Sequence, residues 1–144
     1  MVSGNSHTFS RSDLSTLQLA SELESLNRLD KFMEDVQKKY VLDDDTFARM
    51  LTCTNEACIN AIVHGNKSDK KLRVYINLEL NRDGFLVIQI GDEGQGFDYE
   101  NVADPTTTEN REKTSGRGIY IIRKLADRCL FNSIGNQIEL HFKI

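Results

Sequence analysis

Three polar side chains recur at every fourth position in the stretch NEACINAIVHG, which runs from Asn55 to Gly65. Residues four apart lie on one face of a helix, so Glu56, Asn60 and His64 are predicted to share a face. A carboxylate can accept a proton, and an amide oxygen is a hard ligand that suits Mg²⁺. The row predicts either a site for metal and phosphate or, more simply, the solvent-facing side of a helix.

The other residues of this predicted helix argue against a purely solvent-facing row. At roughly 100° per residue, one stripe faces away from the polar row; its members are Phe47, Met50, Leu51, Thr54, Cys58, Ala61 and Ile62. Most of the remaining surface is apolar as well, with Cys53, Ala57, Ile59 and Val63. A helix covered nearly all round would place Glu56 and Asn60 where they need polar partners.

Five of the nine glycines fall in two clusters, which are Gly91, Gly94 and Gly96 around DEGQGFD, and Gly116 and Gly118 in SGRGI. Glycine costs roughly 0.5–1 kcal/mol relative to alanine in a regular element, so such clusters indicate special dihedral angles or close ligand approach. The second cluster is predicted to open a helix near Gly118, where free N–H groups favour anions. Lys113 and Arg117 add positive charge beside it.

Hydrophobic periodicity predicts the elements that must position these residues. The predicted strands are Thr16–Ala20, Arg73–Leu80, Phe85–Ile90, Cys129–Ser133 and Gln137–Ile144. Helices are predicted after Ser21, which has a capping-box spacing to Glu24, and from Asp43 to Gly65. Residues 97–115 lose periodicity, which is typical of a functional loop or of disorder. This order predicts an α+β two-layer sandwich, a mostly antiparallel sheet with helices on one face.

Composition excludes several classes of function. A chain of 144 residues with 39% hydrophobic and 28% charged residues is predicted to form one globular domain. The net charge of −4 does not favour nucleic-acid binding. The three cysteines fit reduced core thiols, no apolar run would span a membrane, and we expect a cytoplasmic protein. His7 and His141 are predicted to be solvent-facing.

In sequence order, the chain has a helix with Glu-x-x-x-Asn, a strand ending in Asp-x-Gly-x-Gly, a polar loop and a Gly-x-Gly that opens a helix. With these motifs it resembles the GHKL ATPase superfamily, which has the Bergerat-type ATP-binding fold, and within it the anti-sigma-factor serine kinases. NEACINAIVHG is similar to the N box, DEGQGFD to the first glycine box and GRGIYIIRKLAD to the second. The resemblance covers residues 14–144, and we expect residues 1–13 to form a flexible arm.

The resemblance implies a role for each predicted site residue. Asn60 would hold a Mg²⁺ ion that bridges the ATP phosphates, and Glu56 would act as the general base toward a serine hydroxyl. Asp92 would accept a hydrogen bond from the adenine amino group. The other residues implied to bind nucleotide are His64 at its border, Gly94 and Gly96 near the base, and Lys113, Gly116, Arg117 and Gly118 at the phosphates. Residues 98–115 would form a lid.

The implied function is that of an ATP-dependent protein serine kinase acting as an anti-sigma factor. Its implied partners are a sigma factor, an anti-anti-sigma protein of the STAS type and a second copy in a homodimer. Two positions depart from the family's pattern, with Thr114 where an arginine is common and Asn136 where a threonine is common. The alternatives are therefore an ATP-gated binding regulator without phosphotransfer and a stand-alone histidine-kinase-like ATPase domain.

Overall fold

A five-stranded antiparallel sheet forms one layer of the protein in the computed structural model, which describes residues 14–97 and 114–144. The strands are β1 (Ser15–Ala20), β2 (Arg73–Leu80), β3 (Phe85–Gly91), β4 (Arg128–Phe131) and β5 (Gln137–Lys143). Their order in the sheet is β1-β2-β3-β5-β4. The helices cover one face, which confirms the predicted α+β sandwich. The predicted N-terminal arm, with His7, lies outside the described residues.

The alternation of side chains in the strands forms the core as predicted. In β2, Val74, Ile76 and Leu78 are fully buried, and Leu78 lies opposite Ile88 of β3. Ile88 in turn lies opposite Leu140 of β5. A continuous apolar row therefore crosses the sheet on the face that packs against the helices.

The prediction that His141 faces solvent is wrong. Although it lies on the outer face of the sheet, only 8% of its surface is exposed. Its Nε2 lies 2.7 Å from Oε1 of Glu139, and its ring contacts Phe85 at a centroid distance of 6.0 Å. Neighbouring side chains on the same face therefore cover it, which strand parity alone does not reveal.

Two helices precede the second strand. Helix α1 (Leu26–Tyr40) follows a 3₁₀ turn (Leu23–Ser25). The predicted capping box is wrong, because the Ser21 hydroxyl donates to the Leu72 carbonyl (2.8 Å) instead of capping the turn. Helix α2 (Asp44–Ile59) begins after Asp43, whose carboxylate accepts the Thr46 N–H at 2.8 Å as predicted.

The last turn of the predicted long helix is a π-helix, Asn60–Gly65. It ends with the Asn66 N–H donating to the Ala61 carbonyl, five residues back, at 2.8 Å. Such segments are rare and frequent at functional sites. In a π-turn, residues four apart no longer span one turn, and here Asn60 is half-buried while His64 is exposed.

Helix α3 (Thr114–Leu125) begins four residues before the predicted start at Gly118. At its C-terminal end, the Arg49 guanidinium of α2 donates to the Leu125 carbonyl (2.9 Å), which fixes α3 against α2. The predicted loop falls mostly on residues 98–113, outside the described residues. Within residues 14–97 and 114–144, no helix combines the length and apolar character needed to cross a bilayer.

The three cysteines are free thiols, as predicted. Cys53 and Cys58 are fully buried in α2, and Cys129 of β4 is half-buried. Burial raises the pKa of Cys53 to about 12 and that of Cys129 to about 11, and it raises the pKa of Cys58 as well. At neutral pH all three remain protonated and behave as small apolar side chains.

Candidate functional site

A cavity of about 320 Å³ lies between the end of α2, helix α3 and the loops that follow β3 and β4. Among the described residues, four of the predicted site residues line it, namely Asn60, His64, Asp92 and Gly96. Its apolar lining includes Ala57, Ala61, Ile90, Ile119, Phe131 and Ile138. Small-molecule sites are typically clefts of about 300–1,000 Å³ with mostly apolar walls and a few convergent polar groups. The cavity has this character.

At one end of the cavity, helix α3 contacts the polar row of α2 through a glycine. A Cβ added at Gly118 would lie 3.0 Å from Asn60 Nδ2 and 3.1 Å from Glu56 Oε1, so a larger residue here would require both side chains to shift. The side chains of Glu56 and Asn60 are half-buried, and neither forms a hydrogen bond with another described residue. Two polar groups thus meet at a helix contact without a protein partner in the described part of the chain.

At the other end, Asp92 follows β3 and is half-buried. Its Oδ1 accepts the Gly94 N–H at 2.7 Å. Burial raises the pKa of the Asp92 carboxyl, and this effect exceeds the lowering by the Gly94 N–H. An added Cβ at Gly65 would collide with the Asp92 carboxylate, and one at Gly94 would collide with the Gly65 carbonyl. These two glycines therefore allow the N-box and glycine-box segments to pack directly against each other.

The turn between β4 and β5 also contacts the loop that follows β3, which contains Asp92 and Gly94. The Asp92 N–H donates to the Asn136 carbonyl at 3.0 Å, and Asn136 Nδ2 donates to the Gly94 carbonyl at 3.2 Å. Gly96 has a φ of +87°, and a Cβ there would collide with the Ile134 carbonyl. The Asn136 amide is thus already bonded within the protein, with its Oδ1 accepting from Asn132 Nδ2 at 2.6 Å.

The residues of the second glycine box occupy different positions along α3. Gly116 lies in the first turn of the helix, and Gly118, which is buried, lies in the second. Arg117 is exposed between them. Because α3 begins at Thr114, this segment is helical rather than a loop that leads into a helix, and Lys113 lies outside the described residues.

The cavity also has wall residues that sequence reasoning missed. Phe97 and Phe131 form an edge-to-face pair with centroids 5.6 Å apart, and both line the cavity. Lys67 lines it beside His64 and has a φ of +52°. Phe97 lies within the first glycine box, directly after Gly96, which could have marked it as a site residue. No pattern in the sequence singles out Phe131 or Lys67.

Comparisons with known proteins agree with this geometry. Residues 19–142 match the family described as the histidine kinase-like ATPase domain. The anti-sigma F factor of Priestia megaterium is 35% identical over 91 residues, which are 62% of this chain and 62% of the relative. That of Bacillus subtilis strain 168 is 34% identical over 101 residues, 67% of this chain and 68% of the relative. The chain thus spans a little under two thirds of the Priestia megaterium relative.

Among solved structures, the chain is similar to the RsbU and RsbW domains of Rv1364c from Mycobacterium tuberculosis. The TM-score is 0.64 at 15% identity, over 90% of this chain and 32% of that one, and a likeness at this identity shows the fold. The family match includes every described residue that lines the cavity, from Ala57 to Ile138. The chain therefore belongs to the histidine kinase-like ATPase family.

Proposed function

We propose that this chain binds Mg-ATP in the cavity and acts as an anti-sigma factor and protein serine kinase. It holds a sigma factor and phosphorylates a serine of an anti-anti-sigma protein of the STAS type. The observation that supports this best is the meeting of three distant segments, because Asn60 and Asp92 line one cavity and Gly118 contacts Asn60. The relatives named anti-sigma F factor support the regulatory part of the proposal.

In this proposal Asp92 reads the nucleobase. Its carboxylate accepts a hydrogen bond from the exocyclic amino group of adenine, while guanine presents a carbonyl oxygen at the same ring position. A site built around a buried acceptor rejects the base that offers no donor, because the acceptor is left unpaired. The chain therefore prefers ATP to GTP.

Asn60 fits the metal that the family implies. Its amide forms no hydrogen bond with another described residue, and its hard oxygen suits Mg²⁺. The described part of the chain has no cluster of three or more His, Cys, Asp or Glu side chains that could enclose a metal. This suits Mg²⁺, which usually takes one or two protein groups together with phosphates and water. The ion would offset the negative charge of the phosphates.

Glu56 takes the proton in the transfer step. The serine Oγ of the partner forms a bond to the γ-phosphorus of ATP, the bond from that phosphorus to the β–γ bridging oxygen breaks, and ADP leaves. The hydroxyl proton passes to the Glu56 carboxylate. Glu56 lies one helical turn before Asn60, and both contact α3 at Gly118, so the base and the metal-binding amide are held on one surface.

The second candidate is an ATP-gated regulator that grips its partner without transferring phosphate. Thr114, where an arginine is common in the kinases, favours it, since a cation that stabilises the transferred phosphoryl group is then missing from that position. Both candidates use the same ATP site and act as homodimers.

A transfer assay separates these candidates. The chain is incubated with γ-labelled ATP, Mg²⁺ and a cognate serine-bearing antagonist, with Glu56→Gln as the matched control. Label on the antagonist with the parent chain, and none above background with Glu56→Gln, is the expected result. ATP-dependent capture of a sigma factor without label would favour the regulator. Absence of ATP binding by the parent chain would exclude both candidate functions.

A further inference from the structure

Asn66, which follows the π-helix, is a buried asparagine with only 2% of its surface exposed. Its Nδ2 donates to the Ser21 hydroxyl at 2.8 Å and to the Arg73 carbonyl at 3.0 Å. Its Oδ1 accepts the Glu93 N–H at 2.8 Å. A buried amide costs free energy unless it is hydrogen-bonded, and this one is bonded on both its oxygen and its nitrogen.

The partners of Asn66 belong to separate segments of the chain. Arg73 is the first residue of β2, and Glu93 directly follows Asp92. The Glu93 carboxylate accepts the Arg73 N–H at 2.6 Å, so Asn66, Arg73 and Glu93 form a closed ring of three hydrogen bonds. This ring joins the end of the N-box segment to the loop of Asp92.

We propose that Asn66 is a positioning residue that holds Asp92 in the orientation needed to read the nucleobase. The inference depends on the proposed function, since it assumes that Asp92 contacts adenine. Asn136 holds the Asp92–Gly94 segment from the cavity side, and Asn66 holds the intervening peptide from the protein interior. Without the bond to Asn66, the Glu93 N–H loses its partner on the interior side, and the peptide that joins Asp92 to Glu93 is held only by the bonds on either side of it. The Asp92 carboxylate then has a wider range of orientations.

The first test compares Asn66→Ala with Ser21→Ala. Ser21 is also fully buried and belongs to the same hydrogen-bonded network, but its hydroxyl bonds to Asn66 and Leu72 rather than to Glu93. We expect Asn66→Ala to lower ATP affinity and the ATP-to-GTP preference about tenfold each, the effect of losing roughly one hydrogen bond in the bound state. We expect Ser21→Ala to unfold at a lower temperature while its ATP-to-GTP preference stays within about twofold of the parent's. Affinities are measured by titration calorimetry with both nucleotides.

Two results of this comparison would overturn the inference. The first is a folded Asn66→Ala variant with the parent's ATP and GTP affinities. The second is an equal loss of preference in Ser21→Ala, which would assign the effect to general stability of the network. If the parent chain binds no ATP at all, the proposed function fails instead.

A second measurement needs no variant and covers the case in which Asn66→Ala does not fold. In the nucleotide-free parent chain, we expect the Glu93 amide to exchange its hydrogen about 100-fold more slowly than an unstructured amide, because Asn66 already holds it. Mg-ATP should change that rate little. Exchange of the Glu93 amide at the unstructured rate before nucleotide is added would contradict the inference.

Discussion

The two ends of the cavity differ in whether their polar groups are already hydrogen-bonded within the protein. Around Asp92, four backbone groups are hydrogen-bonded within the protein: the N–H groups of Asp92, Glu93 and Gly94 and the Gly94 carbonyl. Around Glu56 and Asn60, neither side chain has a hydrogen bond to another described residue. One end is fixed before any ligand arrives, and the other keeps its polar groups available.

This difference suits two tasks in one site. Selecting a base requires an acceptor at a fixed position, since a mobile carboxylate would turn to accept from either purine. Binding a metal and accepting a proton require groups that no protein partner already holds. We infer that the Asp92 end sets selectivity and that the Glu56–Asn60 end sets metal dependence and transfer.

The largest expected effect is at the metal end. Asn60→Ala should lower ATP affinity in the presence of Mg²⁺ about 100-fold, which is roughly 2.7 kcal/mol, because the protein ligand to the metal is lost. Titration calorimetry with and without a chelator measures this loss. The control is Asn55→Ala on the same helix, whose Nδ2 donates to the Leu51 carbonyl one turn back. Mg²⁺-dependent affinity that survives in Asn60→Ala would refute the role of Asn60.

At the base end, Asp92→Asn should lower ATP affinity about 10- to 30-fold, since the new amide can present a donor where adenine also presents one. The amide oxygen can still accept the Gly94 N–H, so the fold should persist, as circular dichroism would show. Mg²⁺ dependence should remain, which separates this end from Asn60. A parent chain that binds ATP and GTP equally would argue against base reading by Asp92.

A smaller effect is expected where the second glycine box contacts α2. Gly118→Ala gains helix propensity of about 0.8–1 kcal/mol, but its Cβ would crowd Asn60 and Glu56 at 3.0–3.1 Å. We expect unchanged or slightly higher thermal stability together with an ATP affinity about three- to fivefold lower, because both side chains must shift. Lys124→Ala on the exposed side of α3 is the control. Parent-like ATP affinity in Gly118→Ala would show that this close approach is not needed.

The smallest effect is a pH dependence of stability. Burial raises the pKa of Asp92 above its model-peptide value of 3.8, so the folded state binds this proton more tightly than the unfolded state. The stability that Asp92 contributes is present below pH 3.8 and is lost as the pH rises through the folded-state pKa. Asp92→Asn should therefore unfold at a slightly higher temperature than the parent at pH 7, with the difference vanishing near pH 3.5. A difference in unfolding temperature that stays constant across this pH range would contradict the predicted pH dependence.

The sequence predicted most of the fold because hydrophobic periodicity reports burial directly. The strand β2 was predicted with its observed bounds, and the cap at Asp43 was predicted from a side chain that acts within its own turn. The predictions for Ser21 and His141 failed because distant residues contact both side chains. Ser21 donates to the Leu72 carbonyl, and the Phe85 ring of the neighbouring strand packs against His141 in addition to its local contact with Glu139.

In the candidate site, too, local patterns predicted some residues and missed contacts between distant ones. Asn60 and Asp92 were predicted from motif and parity, and the structure brings them to one cavity. The ring through Asn66 was missed because it joins residues far apart in sequence, and a lone asparagine after a helix is most simply a turn residue. The π-turn was missed because six residues are too few for apolar periodicity to distinguish a π-turn from a continued α-helix.

The most direct test of the central claim is a crystal structure with Mg²⁺ and a non-hydrolysable ATP analogue. We expect adenine at Asp92, with its amino group within hydrogen-bond distance of the carboxylate, and Mg²⁺ bound by Asn60 Oδ1 beside Gly118. A nucleotide bound elsewhere on the chain, or a base that contacts neither Asp92 nor the loop held by Asn66, would contradict it.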